Sequence, residues 1–462
     1  MPLVDGYSSD SDSSSHSHGQ NEILTETVNG HNGNVSTVVH LPQLEPTIQV
    51  AKRPNNQKTR AKHKRRKGKG PWASWSSSEE SGGEPDPGAA VQMEKESSAL
   101  LEDEELESSK DEETLSSERT HFYGTSETDY QGRSFLHPPI EADVDFSKPE
   151  LSFRCYLPKK TIYSYQGHHN GTTTIKMFPK SGHLFLSGGN DNKVKLWDVY
   201  HKRELLRDYC GHSKAVRGVS FDGTGSSFLS VSYDQHMKIW DTETGDIRHR
   251  YKFPAVPNCA EFSPVNPNEL IVGLSNSEVR HFDLRVAHKD GLVQVYDHHL
   301  SSIIALKYFP DGTKFISSSE DKSMRIWDNQ VNIPIKQISD TAQYSMPYVD
   351  VHPEHHYFAT QSMDNAIYAF SMKPKYRRNP KKRFEGHKCA GYGIGFGFSP
   401  DGQYLASGDT KGRVYIWDWK TTRLLKHFEV PDKKAVVAVT WAPQETSKIL
   451  CAGNGGRIFL YD

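Results

Sequence analysis

The sequence predicts an all-β fold, in which seven four-stranded blades form a β-propeller behind a long, largely disordered N-terminal tail. Three observations lead to this prediction. A repeat of 42 to 47 residues recurs along the last two thirds of the chain, each copy reads as four short strands, and the composition changes sharply near residue 150. A repeat of this length is the size of one propeller blade.

The repeat is recognised by an aromatic residue next to a closing Asp or Ser. Four strong copies close on Trp-Asp, and three weaker copies close after Phe or Tyr. The closing residues are Asp198, Asp241, Asp283, Asp328, Ser371, Asp418 and Asp462, with spacings of 43, 42, 45, 43, 47 and 44 residues. Spacing and signature are those of WD40 repeats, in which each copy forms one blade. Seven copies therefore predict seven blades.

The strands within a copy are separated by turn-forming sequences. In the first copy the strands are 172–178, 183–187, 193–199 and 203–209. Pro, Ser and Gly at 179–182, and Gly, Asn and Asp at 188–191, mark the first two turns. Alternating apolar and polar residues between such turns are typical of short antiparallel strands.

The propeller is expected to span residues 151–462 and to close through a strand that precedes the first copy. The seventh copy stops at Tyr461-Asp462, the end of a third strand, so its blade lacks an outer strand. Residues 160–165 alternate like a strand and belong to no copy. Because an unpaired edge would be left exposed, we expect 160–165 to pair with the last blade.

A recurring set of His, Ser, Asp and Trp residues is predicted to make the blades rigid. The set consists of His168, Ser187, Asp191, Trp197, His212, Ser230, Asp234, Trp240, Asp321, Trp327, His387, Ser407 and Trp417. The same residue types form hydrolase triads, so a catalytic interpretation has to be weighed. A hydrolase active site needs a single nucleophile, whereas this set of residues recurs in several blades. We therefore expect buried hydrogen-bond networks and no enzyme activity.

No pattern indicates a metal, a cofactor, a small-molecule substrate or a membrane. The five cysteines are scattered without a Cys-x-x-Cys spacing. No apolar stretch approaches the roughly 18 residues of a membrane span. The pairs His298-His299 and His355-His356, with His352 nearby, raise the question of zinc, but no Cys or carboxylate cluster accompanies them. Ordinary loop or core histidines are the favoured interpretation.

Residues 1–150 are expected to form a charged tail that is too polar for a core of its own. Residues 52–69 contain ten Lys or Arg and no acid, and residues 94–119 contain eleven acids and three bases. Segregated charge of this kind is typical of interaction tails. A nuclear-import signal is predicted at Lys62, Lys64, Arg65, Arg66, Lys67 and Lys69. A merely solvated run and contact with RNA phosphates are the alternatives.

Aromatic residues in the tail are the candidate partner-docking residues. They are Trp72, Trp75, Phe122, Tyr123 and Tyr130. Trp is a favoured anchor in protein interfaces, so insertion into a partner is predicted for Trp72 and Trp75, with packing on the chain's own propeller as the alternative. The cluster around Phe122 is compatible with an extended peptide along a partner and with a lead into the ring.

A basic segment lies in the longest spacing between copies. It contains Lys373, Lys375, Arg377, Arg378, Lys381, Lys382 and Arg383, and is broken by two prolines. We expect an exposed loop or outer strand there. Contact with RNA or an acidic protein is one interpretation, and a solvated edge that blocks aggregation is an equally good one.

Several motifs, in this order along the chain, resemble a known family. They are Leu3-Val-Asp-Gly-Tyr7, Gly70-Pro-Trp-Ala-Ser-Trp75, His121-Phe-Tyr-Gly124, Asp129-Tyr-Gln-Gly-Arg133 and Phe153-Arg-Cys-Tyr-Leu-Pro-Lys-Lys160, followed by the WD40 copies. Together they resemble the pre-mRNA-processing factor 17 family of WD40 splicing factors, in a fungal form. WD40 repeats alone would not specify a function, so the tail motifs make the resemblance specific.

The resemblance implies a nuclear, non-catalytic component of the spliceosome. Such a protein is a scaffold that stabilises the remodelled complex for the second step of splicing, exon ligation. Its partners are spliceosomal proteins, and contact with spliceosomal RNA or pre-mRNA is left open. The propeller is expected to be monomeric within that large complex.

The alternative is a nuclear WD40 adaptor of a chromatin or ubiquitin-ligase complex. A ligase receptor would show an F-box-like helical module before the ring, and residues 70–150 contain none. A chromatin reader would bind histone tails.

Overall fold

Seven antiparallel sheets make up the fold, and each sheet is one blade of a propeller. The computed structural model describes residues 118–128, 131–139, 144–146, 148–149, 151–200, 202–286, 291–389 and 391–462. In six blades the four main strands follow one another along the chain from first to outermost, because consecutive strands of a copy are joined by short turns, and in the seventh blade the outermost strand comes from the segment before the first blade.

The first strand of each blade faces the centre of the ring, and the second strand pairs with it. The first strands are β3 (Thr172–Met177), β7 (Val216–Phe221), β11 (Pro257–Phe262), β15 (Ile303–Tyr308), β19 (Tyr348–Val351), β23 (Phe396–Phe398) and β27 (Val436–Trp441). The second strands are β4 (Leu184–Gly189), β8 (Ser227–Ser232), β12 (Glu269–Leu274), β16 (Lys314–Ser319), β20 (Tyr357–Ser362), β24 (Tyr404–Gly408) and β28 (Ile449–Gly453).

The third strand of each blade carries the aromatic residue of the repeat, and the outer strand lies at the rim. The third strands are β5 (Lys193–Asp198), β9 (His236–Asp241), β13 (Val279–Asp283), β17 (Met324–Asp328), β21 (Ala366–Ser371), β25 (Arg413–Asp418) and β29 (Ile458–Tyr461). The outer strands are β6 (Leu205–Cys210), β10 (Ile247–Lys252), β14 (Leu292–Tyr296), β18 (Pro334–Ile338), β22 (Arg378–Glu385), β26 (Leu424–Glu429) and, in the seventh blade, β2 (Thr161–Tyr165).

The ring is closed. First strands of neighbouring blades contact one another in the order β3, β7, β11, β15, β19, β23 and β27, and β27 contacts β3 again. The predicted seven-bladed propeller is therefore confirmed. In the seventh blade, β2 pairs antiparallel with β29, with Tyr163 opposite Leu460 and Tyr165 opposite Ile458. β2 lies within the expected segment 160–165.

The core consists of seven apolar clusters, one between each pair of neighbouring blades. Between the first and second blades, for example, Phe178 and Leu186 pack with Val216, Phe228 and Trp240. Both faces of the second strands are buried because each blade is covered on two sides, so β4 and β8 are buried along their whole length. Each such large side chain contributes roughly 1.5–3 kcal/mol on burial.

The first blade has a fifth strand that is not predicted from the sequence. β1 (Arg119–Phe122) pairs antiparallel with β6, with Arg119 opposite Cys210 and Phe122 opposite Arg207. Four residues of the expected tail thus pair with the outer strand of this blade. The physical reason is the outer edge of β6, whose backbone N–H and C=O groups would otherwise lack strand partners.

Candidate functional site

Three blades contain the same chain of hydrogen bonds between a tryptophan and an aspartate. In each, Trp Nε1 donates a hydrogen bond to Ser Oγ. Ser Oγ is hydrogen-bonded to His Nε2, and His Nδ1 is hydrogen-bonded to the Asp carboxylate. The chains are Trp197–Ser187–His168–Asp191, Trp240–Ser230–His212–Asp234 and Trp327–Ser317–His299–Asp321. All nine distances are 2.7 or 2.8 Å.

The order of donors fixes the tautomer of the histidine. Because the Asp234 carboxylate can only accept, His212 Nδ1 carries the proton of that bond, and Nε2 of the neutral ring then accepts the hydroxyl proton of Ser230. The proton of neutral His212 then lies on Nδ1 and is donated to Asp234. Burial lowers the pKa of His212, which favours this neutral form. Burial by itself would raise the pKa of Asp234, but hydrogen bonds from His212 and from two backbone N–H groups lower it to about 2.

The Ser–His–Asp connectivity resembles a hydrolase triad, but the hydroxyl groups are inaccessible. Ser187, Ser230 and Ser317 are 0% exposed, and each oxygen already accepts an indole N–H. A nucleophile has to reach the substrate carbonyl. The geometry therefore favours the structural interpretation, in which each chain ties a third strand to a second strand and to the turn before the blade.

His299 belongs to one of these networks, although an ordinary loop or core histidine is expected there from the sequence. The signal that could have found it is spacing. His299 precedes Ser317 by 18 residues, as His212 precedes Ser230 by 18. The Gly that precedes the histidine in three other copies is replaced by His298, which hid the correspondence.

The sixth blade contradicts the expected network of His387, Ser407 and Trp417. His387 Nε2 lies 2.9 Å from Gln361 Oε1 in the fifth blade, and Trp417 Nε1 donates to a backbone carbonyl of β22 at 3.0 Å. Ser407 Oγ reaches only a neighbouring carbonyl at 3.5 Å. The reason is Lys411, which stands where four of the other copies have Asp, so no carboxylate orients the histidine. Burial lowers the pKa of His387 to about 4.

The described part of the tail enters a cleft between the first and second blades. This cleft, here called cleft 1/2, lies between β6 on one side and β9 and β10 on the other. Glu118 bridges two bases in it: its carboxylate lies 2.5 Å from Lys238 Nζ and 3.0 Å from Arg250 Nε. Burial by itself would raise the pKa of Glu118, but the hydrogen bonds to Arg250 and Lys238 lower it. Ion pairs between Glu118 and these two bases thus hold the start of the described tail in the cleft.

Phe122 and Tyr123, two predicted partner-docking residues, contact the chain's own propeller. The Phe122 ring stacks on Phe135 at 5.5 Å between centroids, and the Arg207 guanidinium lies 5.1 Å from its centre. Tyr123 donates its hydroxyl proton to Asp208 at 3.3 Å, while half of the residue stays exposed. Of the two interpretations of this cluster, the observed contacts agree with a segment that leads into the ring.

The remaining tail predictions concern residues outside the described part of the chain. These are the docking residues Trp72, Trp75 and Tyr130 and the import residues Lys62, Lys64, Arg65, Arg66, Lys67 and Lys69. They stay predictions.

The basic segment lies at the rim of the fifth blade, in the turn before β22 and in β22 itself. The exposed side chains are Lys373, Lys375, Arg377, Arg378, Lys381 and Arg383. Lys382 is partly covered, because its ammonium donates to the Trp419 carbonyl at 2.6 Å and lies 4.3 Å from the centre of that ring. Arg378 stacks on Tyr368 at 3.7 Å. The segment is therefore an outer strand with most of its charge at the surface.

A cavity of about 620 Å³ opens beside this segment, between the fourth and fifth blades. It is here called cleft 4/5. β18 forms one wall, and β21 with the start of β22 forms the other. Met346, Phe370 and Tyr376 give it a buried apolar floor, while Lys336 and Arg378 are exposed at its rim.

Neither a metal cluster nor a membrane helix is found among the described residues. In that part of the chain, no group of three or more His, Cys, Asp or Glu side chains could hold a metal ion. No described helix is long and apolar enough to cross a membrane. Of the histidines that raised the zinc question, His299 lies in a blade network and His352 Nε2 donates to the Gly402 carbonyl at 2.9 Å.

The repeats and the fold place the chain in a broad class. Residues 159–198, 203–241, 290–328 and 378–418 match the family described as WD40, "WD domain, G-beta repeat". The crystal structure of the Cps50 (Swd1) β-propeller domain of Myceliophteria thermophila has a similar fold, with a TM-score of 0.59 and 19% identity. The match covers 66% of this chain and 99% of that chain. The protein is a WD40-repeat β-propeller protein.

Curated relatives narrow the class to one family. Pre-mRNA-processing factor 17 of Saccharomyces cerevisiae is 51% identical over 467 residues, covering 100% of both chains. Pre-mRNA-processing factor 17 of Homo sapiens is 41% identical over 354 residues, covering 76% of this chain and 60% of the human protein. The chain belongs to the pre-mRNA-processing factor 17 family.

Proposed function

We propose that this chain is a component of the spliceosome and acts in pre-mRNA splicing in the nucleus. The observation that supports this is the 51% identity to the yeast factor over the full length of both chains. The identity extends over the tail as well as the propeller. A propeller by itself would support little, because the WD40 fold serves many functions.

In this proposal the protein carries out no chemistry of its own. The residue sets that resemble a triad have buried hydroxyl groups that are already engaged by tryptophans. The protein then acts as a scaffold. A closed ring of blades is a rigid body, and its rim and tail offer separate surfaces to different partners.

The proposed stage of action is the second step, in which the remodelled complex is stabilised for exon ligation. Trp72 and Trp75 are the proposed anchors into other subunits, since Trp is a favoured hot-spot residue. The basic run at 62–69 is the proposed nuclear-import signal. One closed ring has no open blade to exchange, which supports a monomeric propeller within the larger complex.

The exposed bases at the rim of the fifth blade are the proposed contact to an acidic partner or to RNA. They are Lys373, Lys375, Arg377, Arg378, Lys381 and Arg383, and their charge attracts phosphate or carboxylate groups at long range. Lys382 contributes less, because it is held against Trp419.

A splicing assay tests the proposal. The protein is depleted from a splicing extract, and a labelled pre-mRNA is followed with time. We expect lariat intermediate and cleaved first exon to accumulate, and the full chain to restore mRNA. A Trp72→Ala/Trp75→Ala variant should restore less than a Trp72→Phe/Trp75→Phe control, which keeps aromatic anchors. Unchanged splicing after depletion, or a block before the first cleavage, would overturn the second-step assignment.

A further inference from the structure

We propose that cleft 4/5 is a docking site for an extended acidic segment of a partner protein, which binds as an added strand on β18. The proposal rests on the docking role proposed above and names the surface and the chemistry of one partner. It is derived from cleft 1/2, where the chain shows how such a segment binds.

The two clefts are built from equivalent positions. On the outer strand of the first blade, Arg207 pairs with Leu196, one residue before the blade tryptophan. On the outer strand of the fourth blade, Lys336 pairs with Ile326, again one residue before the tryptophan. Lys336 therefore takes the place of Arg207 in cleft 4/5.

The opposite walls correspond in the same way. Lys238, two residues before Trp240, pairs with Arg250 of β10. Tyr368, two residues before Phe370, pairs with Arg383 of β22. The arginine that holds the tail carboxylate in cleft 1/2 thus has an arginine counterpart in cleft 4/5.

The clefts differ in what covers them. Arg207 is only 4% exposed, because β1 lies over β6. Lys336 is exposed, and β18 is the last strand of its sheet among the described residues. Three apolar residues are also exposed in and just before β18: Val331, Ile335 and Ile333, the last at 70%. An exposed apolar edge strand is a template for pairing with another chain.

The backbone of β18 offers the same hydrogen bonds that β6 gives to the tail. Tyr123 N–H donates to the Leu206 carbonyl at 2.7 Å, so the polar groups of Leu206 point outward from the blade. By the register of the two strands, Ile335 is the counterpart of Leu206, and Gln337 also points outward. An extended segment can therefore pair with β18.

The side chains of cleft 4/5 favour an acidic segment with one large apolar residue. Its lining includes the exposed bases Lys336, Lys375 and Arg378 against one exposed acid, Asp340. The other lining acid, Asp364, is engaged by the Tyr368 hydroxyl, and Arg383 lies further along β22, where it pairs with Glu385. The apolar floor of the cavity has room for an aromatic or aliphatic side chain. The tail shows this combination in cleft 1/2, where Glu118 meets two bases and Phe122 lies against Arg207.

Two other occupants are less well matched. Single-stranded RNA would satisfy the bases but has no peptide backbone to pair with the edge of β18. The chain's own acidic run at 102–107 has the charge and one aliphatic residue, Leu106, but it has no aromatic residue comparable to the Phe122 that the tail places in cleft 1/2. Both are included as outcomes of the test.

The test uses the full chain and a labelled peptide. The probe has the sequence of residues 116–128 with Arg119→Glu, and fluorescence anisotropy measures its dissociation constant. Lys336→Glu should weaken binding at least about tenfold, because it reverses a contacting charge. Gln337→Pro should weaken it similarly, because it removes an outward N–H without breaking the pairing with β17. Lys420→Glu, an exposed charge change on the sixth blade, should change the dissociation constant less than about twofold.

Several results would overturn the proposal. They are no binding to the wild-type chain, binding that neither variant in β18 weakens, and binding lost in Arg250→Glu alone, which would place the peptide in cleft 1/2. Displacement by oligouridine that itself needs Lys336 would make the cleft a nucleic-acid site. Binding that appears only after the acids at 102–107 are replaced by Gln would assign the cleft to the tail. Since no extract is used, failure here is distinguishable from failure of the splicing assay.

Discussion

Replacing Ser230 by Ala removes one oxygen atom from the second blade and leaves two buried groups without a partner. Trp240 Nε1 and His212 Nε2 both lie within 2.8 Å of this oxygen, and both residues are buried. An orphaned buried polar group costs about 1–3 kcal/mol, and the volume lost is too small for a large cavity penalty. We therefore expect Ser230→Ala to lower the free energy of unfolding by about 2–4 kcal/mol.

Ser407 provides a matched control in the sixth blade. It also precedes its blade tryptophan by ten residues and is equally buried, but its hydroxyl group makes only a 3.5 Å contact. Ser407→Ala should therefore cost less than about 1 kcal/mol. Urea unfolding of the full chain, followed by tryptophan fluorescence and compared at equal m-values, measures both changes. Equal losses, or a larger loss for Ser407→Ala, would refute the network as the source of rigidity.

Three further predictions concern pH, the tail and the packing of the ring. Because the pKa of His387 is about 4 in the folded chain against 6.5 in the unfolded chain, stability should fall by about 3 kcal/mol as the pH drops from 6.5 to 4, and His387→Asn should flatten this dependence in urea titrations. Glu118→Gln leaves buried Lys238 without its counter-charge, so hydrogen exchange of the β1 amides should accelerate about tenfold while β18 amides stay unchanged. In Gly453→Ala the new Cβ would lie 1.8 Å from a backbone carbonyl oxygen, so a loss above about 3 kcal/mol is expected, whereas Gly223→Ala, with its nearest atom at 3.7 Å, should stay within about 0.5 kcal/mol in the same titrations.

The blades could be predicted because each one repeats the same local information. A buried aromatic residue lies at or one position before the end of every third strand, and Phe282, Phe370 and Tyr461 occupy in the weak copies the position that Trp197 or Trp240 occupies in strong ones. Substituting one large apolar residue for another keeps the packing between blades, so the signal survives in the spacing. The position of the closing strand follows from the same count of strands per copy.

The contacts that escaped prediction depend on residues far apart in the sequence. β1 has only four residues, and Glu118 meets Arg250 across 132 positions. No local pattern marks such a pairing, because its stability comes from the cleft and not from the strand. The failed network of His387 has a different cause. Because Lys411 provides no carboxylate, His387 is hydrogen-bonded to Gln361 in the neighbouring blade. The predicted network did not take the absence of this Asp into account.

The chain segment before the first blade contacts the first and sixth blades before it supplies the strand that closes the ring. From cleft 1/2 the described residues pass Phe146 on Tyr200 of the first blade and reach Cys155, whose N–H donates to Asp401 of the sixth blade. The same segment then continues into β2. It therefore runs past the junction between the seventh and first blades and also supplies the strand that closes the ring. Separating the seventh blade from the first therefore requires the loss of β2 pairing together with the contacts of Phe146 and Cys155. Since the tail already fills cleft 1/2, and cleft 4/5 lies three blades further round a ring of seven, a partner on β18 and the docked tail can be bound at the same time without competing for one edge.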